Sequence, residues 1–168
     1  MIHIDYNCAD REIKAWYSGL LASKARRTYF LAIALGQLPQ SSWFALGRML
    51  TGDPGSPVLL SWSGSMFEYL MPLLVMPGYE GTLLDETCRG AVEMQIRYGK
   101  KLNLPWGVSE SGYNIRDGQY NYQYRAFGVP GLGLDRGLAD NVVLAPYASA
   151  MALMGKPQAA RSNLQRLY

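Results

Sequence analysis

Apolar positions at helical spacing run over residues 17–35, where Gly36 and then Pro39 close the segment, and they predict a first helix. At about 100° per residue, Leu20, Thr28, Leu31 and Leu35 fall within about 40° of Lys24, so that lysine is expected on an apolar face. The stretch before it, 5–12, is polar and irregular. Residues 51–65 are rich in Gly, Ser and Pro around a short apolar run at 58–60 and predict a loop. Ser65 and Glu68 have the Ser-x-x-Glu spacing of a capping box, opening a helix that Pro72 and Pro77 interrupt or end. A third helix is predicted over 82–101, with Thr82 or a neighbour as cap and Lys100 and Lys101 suited to its C-terminal end. Pro146 suits a first helical position, Gly155 a stop, and Pro157 the start of a last amphipathic helix to Leu167.

Between these helices, residues 105–137 hold seven glycines, four tyrosines, one tryptophan and two prolines with little periodicity. Loops longer than about 15 residues are uncommon in compact domains unless they carry function, so this is expected to be a functional Gly/Tyr-rich loop layer. About five helices and little strand predict an all-α fold. The chain carries no internal repeat, no low-complexity tract and no second-domain boundary, so residues 1–168 read as one unit.

Composition narrows the chemistry. At 168 residues and 49% apolar, the chain is long enough to bury a core without metal or disulfide. Cys8 and Cys88 lack CxxC spacing and no secretory leader precedes them, which predicts reduced thiols in a cytosolic setting. His3 is the only histidine, a poor basis for a zinc enzyme or a Ser/His/Asp hydrolase. Lys and Arg exceed Asp and Glu by 16 to 13 but cluster only at Lys24, Arg26 and Arg27, so no nucleic-acid footprint is expected. The longest apolar runs, 29–35 and 69–76, fall far short of the roughly 18–20 residues that span a bilayer. Carboxylates are the chemistry that remains.

Glu110 lies in Pro-Trp-Gly-Val-Ser-Glu-Ser-Gly-Tyr-Asn, with Trp106 and Tyr113 nearby in sequence. Aromatic surroundings desolvate a carboxyl group and help it keep a proton, as a general acid for a glycosidic oxygen must. The plain alternative is a loop acid bonded to neighbouring amides. Glu68 stands between Phe67 and Tyr69, but its spacing from Ser65 points first to helix capping. Trp16, Trp43, Trp62 and Trp106, with Tyr113, Tyr120, Tyr122 and Tyr124, could stack on sugar rings or simply fill a core. Alternation at Tyr120, Tyr122 and Tyr124 would put three rings on one side of an extended segment. The run Gly131–Gly137 has one residue too many for a dinucleotide fingerprint, and no strand is expected before it.

The block Ser-Trp-Ser-Gly-Ser-Met-Phe-Glu-Tyr-Leu-Met-Pro at 61–72 resembles the glycoamylase-like domain of bacterial cyclic β-1,2-glucan synthases. Further blocks fit the same family at 20–26, at 105–114, and at 122–134, the last continuing through Arg-Gly-Leu-Ala-Asp to Ala-Pro-Tyr-Ala at 145–148. The resemblance implies a twelve-helix (α/α)6 toroid, of which the five helices expected here would be a part. It implies action on linear β-1,2-glucan, closed into a ring by anomer-retaining transglycosylation without metal or organic cofactor. It also implies a place on the cytoplasmic side of the inner membrane, within a larger synthase chain or beside a second copy. On this resemblance Glu110 becomes the expected catalytic carboxylate, and Trp62, Glu68, Trp106, Tyr113, Asn114, Tyr122 and Tyr124 expected sugar-site residues. The family's block at 22–26 reads Ala-Ser-Glu-Ala-Arg, so Lys24 stands where an acid is expected. That departure implies weak or absent activity, which Lys24→Glu would raise. An endo-β-1,2-glucanase and a degenerate glucan-binding segment remain the alternatives.

Overall fold

The computed structural model describes residues 6–7, 12–13, 19–53 and 56–168. His3, Cys8, Trp16 and the first two residues of the helix expected over 17–35 lie outside them. In chain order the elements are β1 (Tyr6–Asn7), β2 (Glu12–Ile13), α1 (Arg26–Ala34), α2 (Ser41–Phe44), β3 (Leu50–Asp53), β4 (Ser56–Leu59) and α3 (Met66–Leu70). They continue with α4 (Leu83–Leu102), β5 (Glu110–Arg116), β6 (Tyr122–Ala126), α5 (Pro146–Met151) and α6 (Pro157–Leu167). Short 3-10 turns follow α3, where Pro72 sits in the first turn, and α5.

The strands form three two-stranded antiparallel pairs, β1–β2, β3–β4 and β5–β6. The fold is therefore mixed α and β, which corrects the expected all-α architecture and partial toroid. Hairpin β3–β4 occupies most of the loop expected over 51–65, and β5–β6 emerges from the expected loop layer at 105–137. No helix among the described residues is long and apolar enough to cross a membrane.

Helix α4 is the central support. Thr82 caps it by accepting the Asp85 amide, Asp85 and Glu86 lie in its first turn, and Lys100 and Lys101 in its last, all favourable to the helix dipole. Asn103 ends it in the left-handed conformation at φ 55°. Its buried face includes Cys88, Gly90, Ala91, Val92, Gln95 and Gly99. A Cβ at Gly90 would meet Val58 Cγ2 at 2.5 Å, and one at Gly99 would meet Trp106 Cβ at 2.9 Å. The two glycines thus let β4 and the 104–106 segment approach the helix closely.

Tyr69, fully buried, ties the middle of the core together by reaching the carbonyls of Leu59 (2.9 Å) and Leu132 (2.8 Å). The turn at 63–64 crosses the 128–133 segment so closely that a Cβ at Gly128 would stand 1.7 Å from the Ser63 carbonyl oxygen.

Helix α1 starts well after the expected 17. Leu21 donates to the Gly47 carbonyl at 3.0 Å, and Leu20 bridges Gly47, which holds the chain out of helix there. Arg26 is buried and donates to the carbonyls of Ser23, Glu68 and Tyr69, the last two in α3. Burial lowers its pKa, and the neighbouring Cys88, Tyr69 and Glu68 side chains partly offset that fall. Lys24 consequently sits in the turn before α1 and is half-exposed, not on a buried apolar face. The helix buries only Arg26 and Tyr29, while Phe30, Leu31 and Leu35 stay exposed.

Candidate active site

Two buried amides fix the approach to Glu110. On α4, Gln95 accepts from the Val108 N–H and donates to the Val108 carbonyl, both at 2.8 Å. On α6, Asn163 does the same for Trp106, accepting from its N–H at 3.0 Å and donating to its carbonyl at 2.7 Å. Each amide supplies a donor and an acceptor to one residue of 106–108, alongside the antiparallel bridge from Val108 to Leu144 and the Ala145 N–H donated to the Gly107 carbonyl at 2.8 Å. Between them Gly107 takes a positive φ of 119° and packs against Ser149, where a side chain would be strained. Glu110 then opens β5.

The Glu110 side chain is 9% exposed, and both carboxylate oxygens are engaged. Lys24 Nζ donates to Oε1 at 3.0 Å and to Oε2 at 3.1 Å. Tyr124 donates its hydroxyl to Oε2 at 2.5 Å. Strand register explains the second contact: Glu110 pairs with Ala126, so Tyr124 is its diagonal neighbour on the same face, and its own partner Gly112 leaves the ring room. Burial of the hydroxyl end raises the Tyr124 pKa, and the bond to the Glu110 carboxylate adds to the rise, although the ring itself is largely exposed. The ammonium of Lys24 also lies 5.3 Å from the centroid of the Phe67 ring, a cation–π contact that holds it over the site.

Tyr122 lies farther along the same face, opposite Arg116 beyond a bulge between Tyr113 and Arg116. The Arg116 guanidinium covers one side of the Tyr122 ring at 4.4 Å and donates to its hydroxyl. Glu110, Tyr124 and Tyr122 therefore form a row on one exposed hairpin face. Tyr120 falls in the preceding turn at φ 66°, outside the strand, so the expected platform of three rings holds two.

The other expected residues lie elsewhere. Glu68 is buried, with Oε2 accepting from the Ser63 N–H (2.9 Å) and hydroxyl (2.6 Å) and Oε1 from the Trp62 N–H (3.3 Å). Ser65 caps α3 through the Glu68 N–H as its spacing predicts, but the carboxylate closes the turn ahead of the cap. Trp62 keeps 45% of its surface exposed and is joined to Glu110 by no hydrogen bond among the described residues. Trp106 is in the core, 5% exposed, and presents no free face. Tyr113 turns to the opposite face of the hairpin and packs edge-on against Phe127 at 5.1 Å. Asn114 is exposed near the bulge.

Three contributors escaped the sequence reading. Tyr147, on the first turn of α5, reaches Ser109 Oγ at 2.9 Å and the Glu110 carbonyl at 2.5 Å. Phe67 lies beneath Lys24, and Ser109 accepts the Phe67 N–H at 3.0 Å. Their only signal was membership of the quoted blocks, because nothing in the spacing of residues 67, 109 and 147 brings them together.

The family model described as putative glucoamylase matches residues 17–168. The chain is also 48% identical over 167 residues to the cyclic beta-(1,2)-glucan synthase NdvB of Rhizobium meliloti (strain 1021), a match covering 99% of this chain and 6% of that protein. The chain thus spans a small part of the length of this relative. Sequence blocks, family match and identity agree, and the chain belongs to the glycoamylase-like family, similar to one segment of a cyclic β-1,2-glucan synthase.

Proposed function

We propose that the chain is a β-1,2-glucan-handling segment of a larger cyclic β-1,2-glucan synthase, and that Lys24 holds its transglycosylation site in a glucan-binding state of low turnover. In this reading Glu110 is the carboxylate that serves an anomer-retaining ring closure. In the first of two displacements a proton moves to the glycosidic oxygen as its bond to C1 breaks and a carboxylate bonds to C1; in the second a hydroxyl of the same glucan bonds to C1 as the carboxylate leaves, and that hydroxyl's proton returns to the enzyme. Retaining chemistry of this kind uses two carboxyl groups.

The observation that carries the reading is the contact of Lys24 Nζ with both Glu110 oxygens. Position 24 faces the carboxylate directly, so an acid there would supply a second carboxyl, whereas an ammonium neutralises the first. Tyr124 and Tyr122, on the face that leads away from Glu110, are the proposed glucan-stacking residues, with Trp62 and Asn114 on exposed ground that an oligosaccharide can reach. The exposed apolar residues Phe30, Leu31, Leu35 and Phe44 support a role as part of a larger chain, or beside a second copy, in which they are covered. The proposed setting is the cytoplasmic side of the inner membrane.

Calorimetric titration with linear β-1,2-glucan and with β-1,4-glucan oligomers of equal length tests the binding half. The reading expects preference for the β-1,2 linkage and a loss of about fivefold in affinity for Tyr122→Ala. Equal affinity for both glucans, or none for either, contradicts it.

A further inference from the structure

We infer that Tyr147 is a positioning residue for Glu110, the last hydroxyl of a one-way hydrogen-bond chain that sets where the carboxylate stands. The direction of the chain follows from counting protons. The Glu110 carbonyl can only accept, and a phenol has one proton, so the Tyr147 O–H is donated to that carbonyl. The Ser109 hydroxyl, 2.9 Å from the phenol oxygen, must then donate to it. Ser109 Oγ in turn accepts the Phe67 N–H at 3.0 Å. The sequence of donors is Phe67 N–H, Ser109 O–H, Tyr147 O–H, ending on the Glu110 C=O.

Burial raises the Tyr147 pKa, so the phenol keeps the proton that this arrangement needs. Bonds in such a chain polarise one another, so the loss of one link weakens its neighbours.

The chain joins three parts of the fold: α3 through Phe67, the start of β5 through Ser109 and Glu110, and α5 through Tyr147. Lys24 and Tyr124 hold the carboxylate end of Glu110, and Tyr147 holds its main chain. The Tyr147 ring separately packs edge-on against Phe67 at 6.2 Å. Tyr147→Phe therefore removes the positioning bond and keeps the packing.

The catalytic meaning of this role rests on the proposed part of Glu110 in transglycosylation, but the positioning itself is measurable without turnover. In the full chain with 13C-labelled tyrosine rings, NMR at neutral pH follows the Cζ resonance of Tyr124, whose hydroxyl bonds to Glu110 directly. For Tyr147→Phe the expected result is a shift of that resonance toward a free phenol's as the carboxylate drifts from its hydroxyl. Ser109→Ala cuts the same chain one link earlier and should move Tyr124 in the same direction; it decides the matter if Tyr147→Phe does not fold. In a Lys24→Glu background, Tyr147→Phe should lower kcat about tenfold with KM within about twofold. An unmoved Tyr124 resonance overturns the proposal whatever the turnover. A moved resonance with no glucan turnover in any variant upholds the positioning role and rejects the transglycosylase reading.

Discussion

Lys24 and Glu110 stand 86 positions apart in the sequence, and the lysine ammonium lies 3.0 and 3.1 Å from the two carboxylate oxygens. The lysine is half-exposed and the glutamate almost fully buried, so the pair closes over the acid from the solvent side. A general acid must bring a proton to its substrate, and a nucleophile or base must bring a free lone pair. As paired here, Lys24 and Tyr124 occupy three of the roughly four lone-pair positions of the Glu110 carboxylate. The same contact makes position 24 the most direct lever on the site.

Glu68 acts on the fold through the turn at 62–63, where its carboxylate accepts from two main-chain amides and one hydroxyl. Glu68→Gln sets an NH2 group against one of those donors. The expected loss is about 2 kcal/mol, the scale of hydrogen bonds to a charged acceptor. Urea unfolding followed by tryptophan fluorescence measures it, and an unchanged midpoint would show that the turn does not depend on the carboxylate.

Gly128 is required by contact with backbone. A methyl group there would meet the Ser63 carbonyl oxygen at 1.7 Å, and neither chain segment can yield as a flexible side chain could. Gly128→Ala is expected to cost about 3 kcal/mol or more. Circular dichroism through a thermal ramp reads the loss; a midpoint within a degree or two of the parent's would refute the crossing.

Alkaline conditions should weaken the fold. Burial pushes the Cys88 thiol and the Tyr69 phenol up, so both stay protonated in the folded chain when their unfolded counterparts ionise. Their contribution is fully present below the unfolded values, about 8.5 for a thiol and about 10 for a phenol, and is lost as pH rises through the higher folded values. The urea midpoint is expected to fall steadily between pH 8 and pH 10.5. A flat or rising midpoint over that range would contradict this assignment, and Cys88→Ala should flatten the early part of the decline.

The legible parts of this fold were those governed by local chemistry. Ser65 as a cap, Thr82 at the head of α4, and Pro146 and Pro157 at first helical positions all act within a few residues of where they are read. The hairpins were less legible because their patterns are broken: Pro57 lies in β4, Gly112 in β5, and a bulge interrupts the pairing after Tyr113. The early helix failed for a tertiary reason. Gly47 holds Leu20 in a bridge, the chain turns at 21–25, and Arg26 is anchored to α3, so helical spacing before residue 26 is overridden. In the candidate site, Glu110, Lys24 and Tyr124 each stood out in the sequence, but not that Lys24 and Tyr124 would both bond the Glu110 carboxylate, nor that Tyr147 would reach its carbonyl. Helical and strand periodicities carry no information at such separations.

The most direct test of the account is the mass spectrum of linear β-1,2-glucan after incubation with this chain and with its Lys24→Glu variant. If Glu110 serves the proposed retaining chemistry, exchanging the ammonium for a carboxyl group removes its ion pair and supplies a second acid. The account predicts little change from the chain as it stands. From the variant it predicts new products one water lighter than linear oligomers, the mass of closed rings. Equal turnover by the two forms would contradict the claim that Lys24 restrains the site, and the absence of rings from both would contradict the claim that Glu110 serves transglycosylation.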